Sequence, residues 1–158
     1  MAAVLALDVG GTKIAAGLVD PDGSLTYSFA LPTRADQGTD AVWAVVSELI
    51  ENTLEHAGGR VDAVGIGSAG PIDVDAGTVS PVNIAGWRGF ALRDRVAAAL
   101  PGVPVRLGGD GVCMALGEYR HGAGRGTRSM LGMVVSTGVG GGLVVDGAPL
   151  HGRTGNAG

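Results

Sequence analysis

One cysteine, Cys113, stands in 158 residues. It excludes an internal disulfide and fits a reducing compartment. Positive charge is also scarce: Lys and Arg total 11 against 15 Asp and Glu, for a net charge of −4 at pH 7. With a pI near 5.2 and no basic stripe, the chain lacks the electrostatic footprint of a nucleic-acid surface. No apolar run approaches the roughly 20 residues that span a bilayer. Met1–Leu7 is apolar but short and has no basic leader, so it does not read as a signal peptide. His56, His121 and Cys113 show no metal-ligand spacing and are expected to be structural or solvated. These absences describe a soluble cytoplasmic protein without nucleic-acid or membrane partners.

What is present points to a folded α/β chain. Hydrophobic residues make up 46%, and the length suffices for one domain with its own core. Thirty glycines cluster in turns without a collagen-like period. Val4–Val9, Ile14–Val19 and Ser24–Leu31 read as three antiparallel strands, which exclude an all-parallel sheet. Thr39 or Asp40 is the expected N-cap of a helix carrying Val42, Val45, Val46, Leu49, Ile50 and Leu54, closed by Gly58-Gly59. Strands follow at Val61–Ile66, Gly77–Val79 and Val103–Leu107, with helices at Leu92–Leu100 and Asp110–Tyr119. A second glycine-rich hairpin joins Met130–Ser136 to Gly142–Val145, after a linker-like turn at Gly122–Gly126. The alternation predicts a mixed α/β architecture. Residues 1–121 read as one domain and 122–158 as the start of a second of the same kind, cut short because two bare strands are not independently stable. His151–Gly158 reads as polar and flexible.

Two hairpins carry the chemistry. Leu7-Asp8-Val9-Gly10-Gly11-Thr12-Lys13 is neither a Walker A loop nor a dinucleotide fingerprint. Its backbone at Gly10–Thr12 and the Thr12 hydroxyl suit a phosphate, and Asp8 suits a metal ion held through water. The plainer reading is a type I′ turn with Asp8 in an Asx-turn. Ser136–Gly142 holds more glycine than a hairpin needs, which suggests close approach of a ligand. Asp110 opens a helix behind Gly108-Gly109; it is either a helix cap or a general base at the carboxyl end of a strand. Asn83 suits a sugar hydroxyl and Trp87 a pocket wall, against a loop amide and a packing indole. Gly67–Asp73, with Ser68 and Gly70, either faces a ligand or makes a tight turn. Arg88, Arg93, Asp94 and Arg95 read as a solvated helix start.

Taken in order, these stretches resemble the ROK family of bacterial sugar kinases and regulators, within the actin-like ATPase (ribonuclease H-like) superfamily. The carrying residues are Leu7–Lys13, Gly65–Pro71, Pro81–Trp87, Asp110 with Ala115–Glu118, and Ser136–Gly142. The resemblance implies a glucokinase-like kinase that phosphorylates a hexose or amino sugar from ATP with Mg²⁺. It implies phosphate contacts at Gly10, Gly11, Thr12, Lys13, Thr137, Gly138 and Gly140, and Mg²⁺ near Asp8. It implies Asp110 as catalytic base and a sugar site including Ser68, Gly70, Asn83, Gly109 and Asp110. It also implies a homodimer when full length. Gly109 departs from the family, which usually carries a sugar-binding Asn there. A Glu, a Gly-His pair and a zinc-binding cysteine cluster, expected later in the family, are not in these residues. The chain alone is therefore expected to have little kinase activity. A sugar-responsive transcriptional regulator and a non-catalytic sugar-binding paralogue are the alternative readings.

Overall fold

The structure, a computed structural model, describes residues 3–135, 139–153 and 155–156. Strands β1 (Val4–Val9), β2 (Lys13–Val19) and β3 (Leu25–Pro32) pair antiparallel as the sequence suggests. Helix α1 (Thr39–His56) leads to β4 (Ala63–Ser68), a small hairpin of β5 (Ile72–Asp73) and β6 (Thr78–Val79), and α2 (Leu92–Ala99). Then come β7 (Val105–Gly109), α3 (Asp110–His121), β8 (Ser129–Val135), β9 (Val139–Val145) and β10 (Ala148–Pro149). The main sheet has the order β3-β2-β1-β4-β7, with β1, β4 and β7 parallel. It is the expected mixed sheet.

Strand alternation decides which face is core. Leu5, Leu7 and Val9 of β1 are buried with Ile14, Ala16 and Leu18 of β2 and with Val64 and Ile66 of β4. Val42, Val45, Val46, Leu49 and Ile50 of α1 join the same cluster, as do Leu92 and Val96 of α2. The heptad-like recurrence along α1 thus has its cause in one sheet face. Gly58 (φ 71°) and Gly59 (φ 83°) end the helix in left-handed backbone, and the Gly59 N–H donates to the Leu54 carbonyl at 2.7 Å. The start differs from expectation. Gly38 is the N-cap, and Thr39 is the first helical residue, its hydroxyl donating to the Gly86 carbonyl at 3.0 Å. The Thr39 carbonyl in turn accepts from Trp87 Nε1 at 3.3 Å. Thr39 is spent on fastening the 81–89 loop to the helix, so it does not cap.

Trp87 is fully buried and stacks on Phe90 with ring centroids 3.9 Å apart, which makes it a packing indole. Arg88, Asp94 and Arg95 are exposed as expected of a solvated helix start, and the arginines also serve as braces. Arg88 donates to the Pro81 carbonyl at 2.8 Å, Arg93 donates to the Val74 carbonyl at 2.9 Å, and Arg95 lies over the rings of Trp43 and Phe90. Long basic side chains hold loops through their donors while their stems cover apolar atoms.

Helix α3 covers the opposite face. A Cβ on Gly67 would lie 3.6 Å from Cys113, and one on Gly108 would lie 3.0 Å from its Sγ. The same helix packs on a second sheet of order β10-β9-β8. A Cβ on Gly132 would stand 2.8 Å from Ala115 Cβ, and one on Gly142 would stand 2.7 Å from the Val112 Cα. The expected bare hairpin therefore has a third strand and a helix on one face. Its other face is open, with Leu131, Met133, Val135 and Val139 between 63% and 73% exposed.

Candidate active site

The first hairpin is tightened by sterics. Neither Gly10 nor Gly11 has positive φ, so the turn is not type I′, which needs φ above zero at both central positions. A Cβ on Gly10 would sit 2.9 Å from the Lys13 carbonyl oxygen; one on Gly11 would sit 2.5 Å from the Asn83 Cβ. Glycine at position 11 thus lets the Asn83 loop rest on the hairpin. Thr33, fully buried at the end of β3, locks the turn: its hydroxyl donates to the Gly10 carbonyl at 2.7 Å, and its N–H donates to the Thr12 carbonyl at 3.0 Å. Thr33 escapes a motif search because its partners lie more than twenty residues away.

Asp8, one residue before the end of β1, lies on the face opposite α1. Its register partner on β4 is Gly67, and the partner of Gly67 on β7 is Gly108. Two glycines therefore separate Asp8 from the start of α3, where Asp110 stands. Asp110 is the first helical residue, with Gly109 as N-cap. Its Oδ1 accepts from the Gly111 N–H at 2.7 Å, one of the first-turn N–H groups that no carbonyl within the helix can reach. The carboxylate thus serves the helix start, and it also borders the groove that opens on this face. Asp8 is exposed to the groove, yet desolvation by the chain around it, then the charge of Asp110, raises its carboxyl above the usual value, and Lys13 pulls it back. Cys113 is exposed on the same groove, and its thiol is raised too, by desolvation first and then by Asp110 and Asp8. Nothing in the spacing of Asp8, Asp110 and Cys113 along the chain announces that they share one groove.

A groove of about 770 Å³ opens on this face, bordered by Ala6, Asp8, Gly67, Gly108, Asp110 and Cys113. A smaller cavity of about 80 Å³ adjoins it, bordered by Gly70, Ile72, Gly109, Asp110, Gly140 and Asn156. Asp110 and Gly140 border both. Asn156 closes the smaller cavity by donating to the Ile72 carbonyl and accepting from the Ile72 N–H, both at 3.0 Å. This residue lies in the segment read as polar and flexible. Ser68 is not brought to either space: it is fully buried, and its Oγ donates to the Ala69 carbonyl at 3.1 Å. Burial against the core removes it from direct contact with a ligand. Gly10, Gly11, Thr12, Lys13 and Asn83 border neither cavity; they cluster by the Gly11–Asn83 contact. Thr137 and Gly138 lie outside the described residues.

Hard divalent cations take oxygen ligands, and carboxylates are preferred among them. Asp8 meets that chemistry: ionised, it adds charge to a groove already bordered by Asp110, and a cation there relieves the repulsion. The glycine-bordered groove leaves main chain accessible to an anion on the same cation.

The mixed sheet of order β3-β2-β1-β4-β7, with α1 and α3 on its two faces, defines an α/β protein of the actin-like ATPase fold. The chain belongs to the ROK family, whose sequence profile matches residues 4–158. It is similar to the ROK hexokinase of Thermus thermophilus, at 40% identity and a TM-score of 0.87, over 99% of this chain and 51% of that one. It is equally similar in fold to a ROK glucokinase from Streptomyces griseus solved with glucose and AMPPNP, at 36% identity and a TM-score of 0.87, over 98% of this chain and 48% of that one. The N-acetyl-D-glucosamine kinase of Erwinia tasmaniensis is 37% identical over 146 residues, 92% of this chain and 47% of its own. The chain spans about half the length of the curated relatives it matches. Among the described residues, no helix is long and apolar enough to cross a membrane.

Proposed function

We propose that this chain forms the first half of an ATP-dependent kinase acting on a hydroxyl of a hexose or amino sugar. The observation that carries the reading is the common groove of Asp8 and Asp110, at the same end of the parallel strands with Gly67 and Gly108 between them in the sheet. Asp110 removes the proton of the acceptor hydroxyl as that oxygen bonds to the terminal phosphorus of ATP. The bond from phosphorus to the bridging oxygen breaks, and ADP leaves with the electron pair. Asp8 holds Mg²⁺ through water, and the ion, when bound, neutralises phosphate charge. The turn at Gly10–Lys13 and the segment Thr137–Gly140 grip the phosphates. Asn83 and Gly70 line the sugar site beside Gly109.

Residues 1–121 then make up one domain and 122–158 open the next, with α3 packed between their two sheets. The reading includes a cytoplasmic homodimer for the full-length protein and little turnover by these residues alone, both resting on the family. The test is Asp110→Asn in the full-length gene product. Loss of a positioned general base lowers kcat by about 10²- to 10⁴-fold. Sugar-dependent ADP release at the normal rate in that variant overturns the assignment.

A further inference from the structure

Several glycines near this site are compelled by their neighbours; Gly109, like Gly70 and Gly140 on the same small cavity, is not. A Cβ on Gly11 would stand 2.5 Å from Asn83, one on Gly111 2.4 Å from the Gly141 carbonyl oxygen, and one on Gly142 2.7 Å from Val112. Those positions admit nothing larger. Gly109 has φ −66° and ψ 141°, extended backbone that any residue adopts. The nearest atom to a Cβ there is Ile72 Cδ1, at 3.8 Å. That is ordinary van der Waals contact. Glycine carries an entropic cost on folding, and here neither backbone nor packing asks for it. What the missing side chain provides is space.

That space is the cavity of about 80 Å³ against Asp110. A water molecule takes about 30 Å³ in the liquid, so the cavity suits a substituent of a few non-hydrogen atoms and not another sugar ring. Its side-chain walls are the aliphatic Ile72 and Val112, the Asp110 carboxylate and the Asn156 amide. The Asn156 amide is engaged with the Ile72 main chain. The rest of the wall is glycine main chain. Such a lining favours a small uncharged group with an apolar end over an anion, which Asp110 repels.

We infer that Gly109 sets acceptor specificity: it opens the sugar site to a hexose bearing a small uncharged substituent, of O-methyl, O-acetyl or acetamido size, beside the reacting hydroxyl. The inference rests on the sugar-kinase reading above and names its substrate class more narrowly. A side chain at position 109 returns the site to unsubstituted sugars.

The experiment is an acceptor panel with the full-length gene product. Glucose is compared with its 3-O-methyl and 4-O-methyl ethers, 2-acetamido-2-deoxyglucose and 2-acetamido-2-deoxymannose, for the wild type, Gly109→Ala and Gly109→Asn. ADP release gives kcat/KM, and calorimetry gives the affinity for each sugar. At least one substituted sugar is expected to exceed glucose in the wild type. Its kcat/KM relative to glucose is expected to fall about 10-fold or more in Gly109→Ala, and further in Gly109→Asn, the range that one misplaced carbon produces in a pocket. An unchanged ratio in both variants, or a wild type that prefers glucose to every substituted sugar, overturns the inference while leaving the kinase reading intact. Absence of ADP release with every sugar overturns the kinase reading, and the calorimetric ratio then decides the specificity claim alone. Thermal unfolding of Gly109→Ala serves as the folding control, because its Cβ meets no crowded atom.

Discussion

Asp8 and Asp110 share one groove, joined across the sheet by the register Asp8–Gly67–Gly108. Gly67 and Gly108 carry no side chain there, and the Cys113 thiol of α3 lies over them. Desolvation, with Asp110 as the second cause, raises the Asp8 carboxyl. A raised acid contributes stability that is fully present below its ordinary value, about 3.9, and is lost as pH rises through the raised one. At neutral pH the ionised Asp8 therefore weighs against the fold. Asp8→Asn is expected to unfold at a higher temperature than the wild type at pH 7 in the presence of EDTA. The difference should shrink as pH falls towards 4 and vanish where both carboxyls are protonated. A calorimetric pH series on both proteins checks it; an Asn variant less stable than wild type at pH 7 contradicts the assigned cause.

The contact of Gly11 with Asn83 gives a second expectation. Adding a methyl where 2.5 Å is available forces two backbone segments apart. Overpacking of this kind costs about 1–3 kcal/mol. Gly11→Ala should lose that much in urea unfolding, and Asn83→Gly in the same chain should restore part of it. A double-mutant cycle reads the coupling directly, since the two sites touch. Strict additivity would mean that the hairpin and the loop do not rest on each other.

Much of this arrangement is legible in the sequence, and the remainder is hidden for a definite reason. The β1 strand and the end of α1 follow from local patterns: an apolar run stopped by Gly-Gly, and a helical recurrence stopped by two glycines in left-handed backbone. Whatever depends on partners far along the chain does not show. The Asn156 amide pairs with Ile72, 84 residues away. Thr39 fastens a loop 47 residues away instead of capping its own helix. The glycine excess was legible but divided in purpose. Gly132, Gly141 and Gly142 admit the close packing of β8, β9 and α3, and among the described residues of that second segment Gly140 alone borders the small cavity without crowding. Composition cannot distinguish a glycine that admits a helix from one that admits a ligand.

Cys113 reports on the same groove. Its thiol is raised by desolvation and then by Asp110 and Asp8, and the thiolate is the reactive form. Alkylation at pH 7.5 should run slower than that of free cysteine and accelerate at higher pH. Asp110→Asn removes one of the opposing charges and should shift the rate profile to lower pH. Mass spectrometry of iodoacetamide-treated protein over a pH series measures it. A profile unmoved by Asp110→Asn would separate Cys113 electrostatically from the carboxylate pair.

The open face of β8 and β9 governs behaviour in solution. Leu131 lies opposite Leu143, Met133 opposite Gly141 and Val135 opposite Val139, so the apolar side chains fall on one side of the ladder. Leu131 is 69% exposed and Met133 63% exposed, and β8 is at the end of its sheet order. Exposed apolar patches and unpaired strand edges both promote association. The 158-residue chain should bind a hydrophobic dye and associate more strongly as concentration rises. Leu131→Lys combined with Met133→Lys should suppress both effects, because charge on an edge strand blocks edge pairing. Neither side chain is buried, so each change should alter unfolding stability by no more than about 0.5 kcal/mol. Light scattering over a concentration series decides the matter. Equal association by the double variant would place the contact elsewhere on the chain.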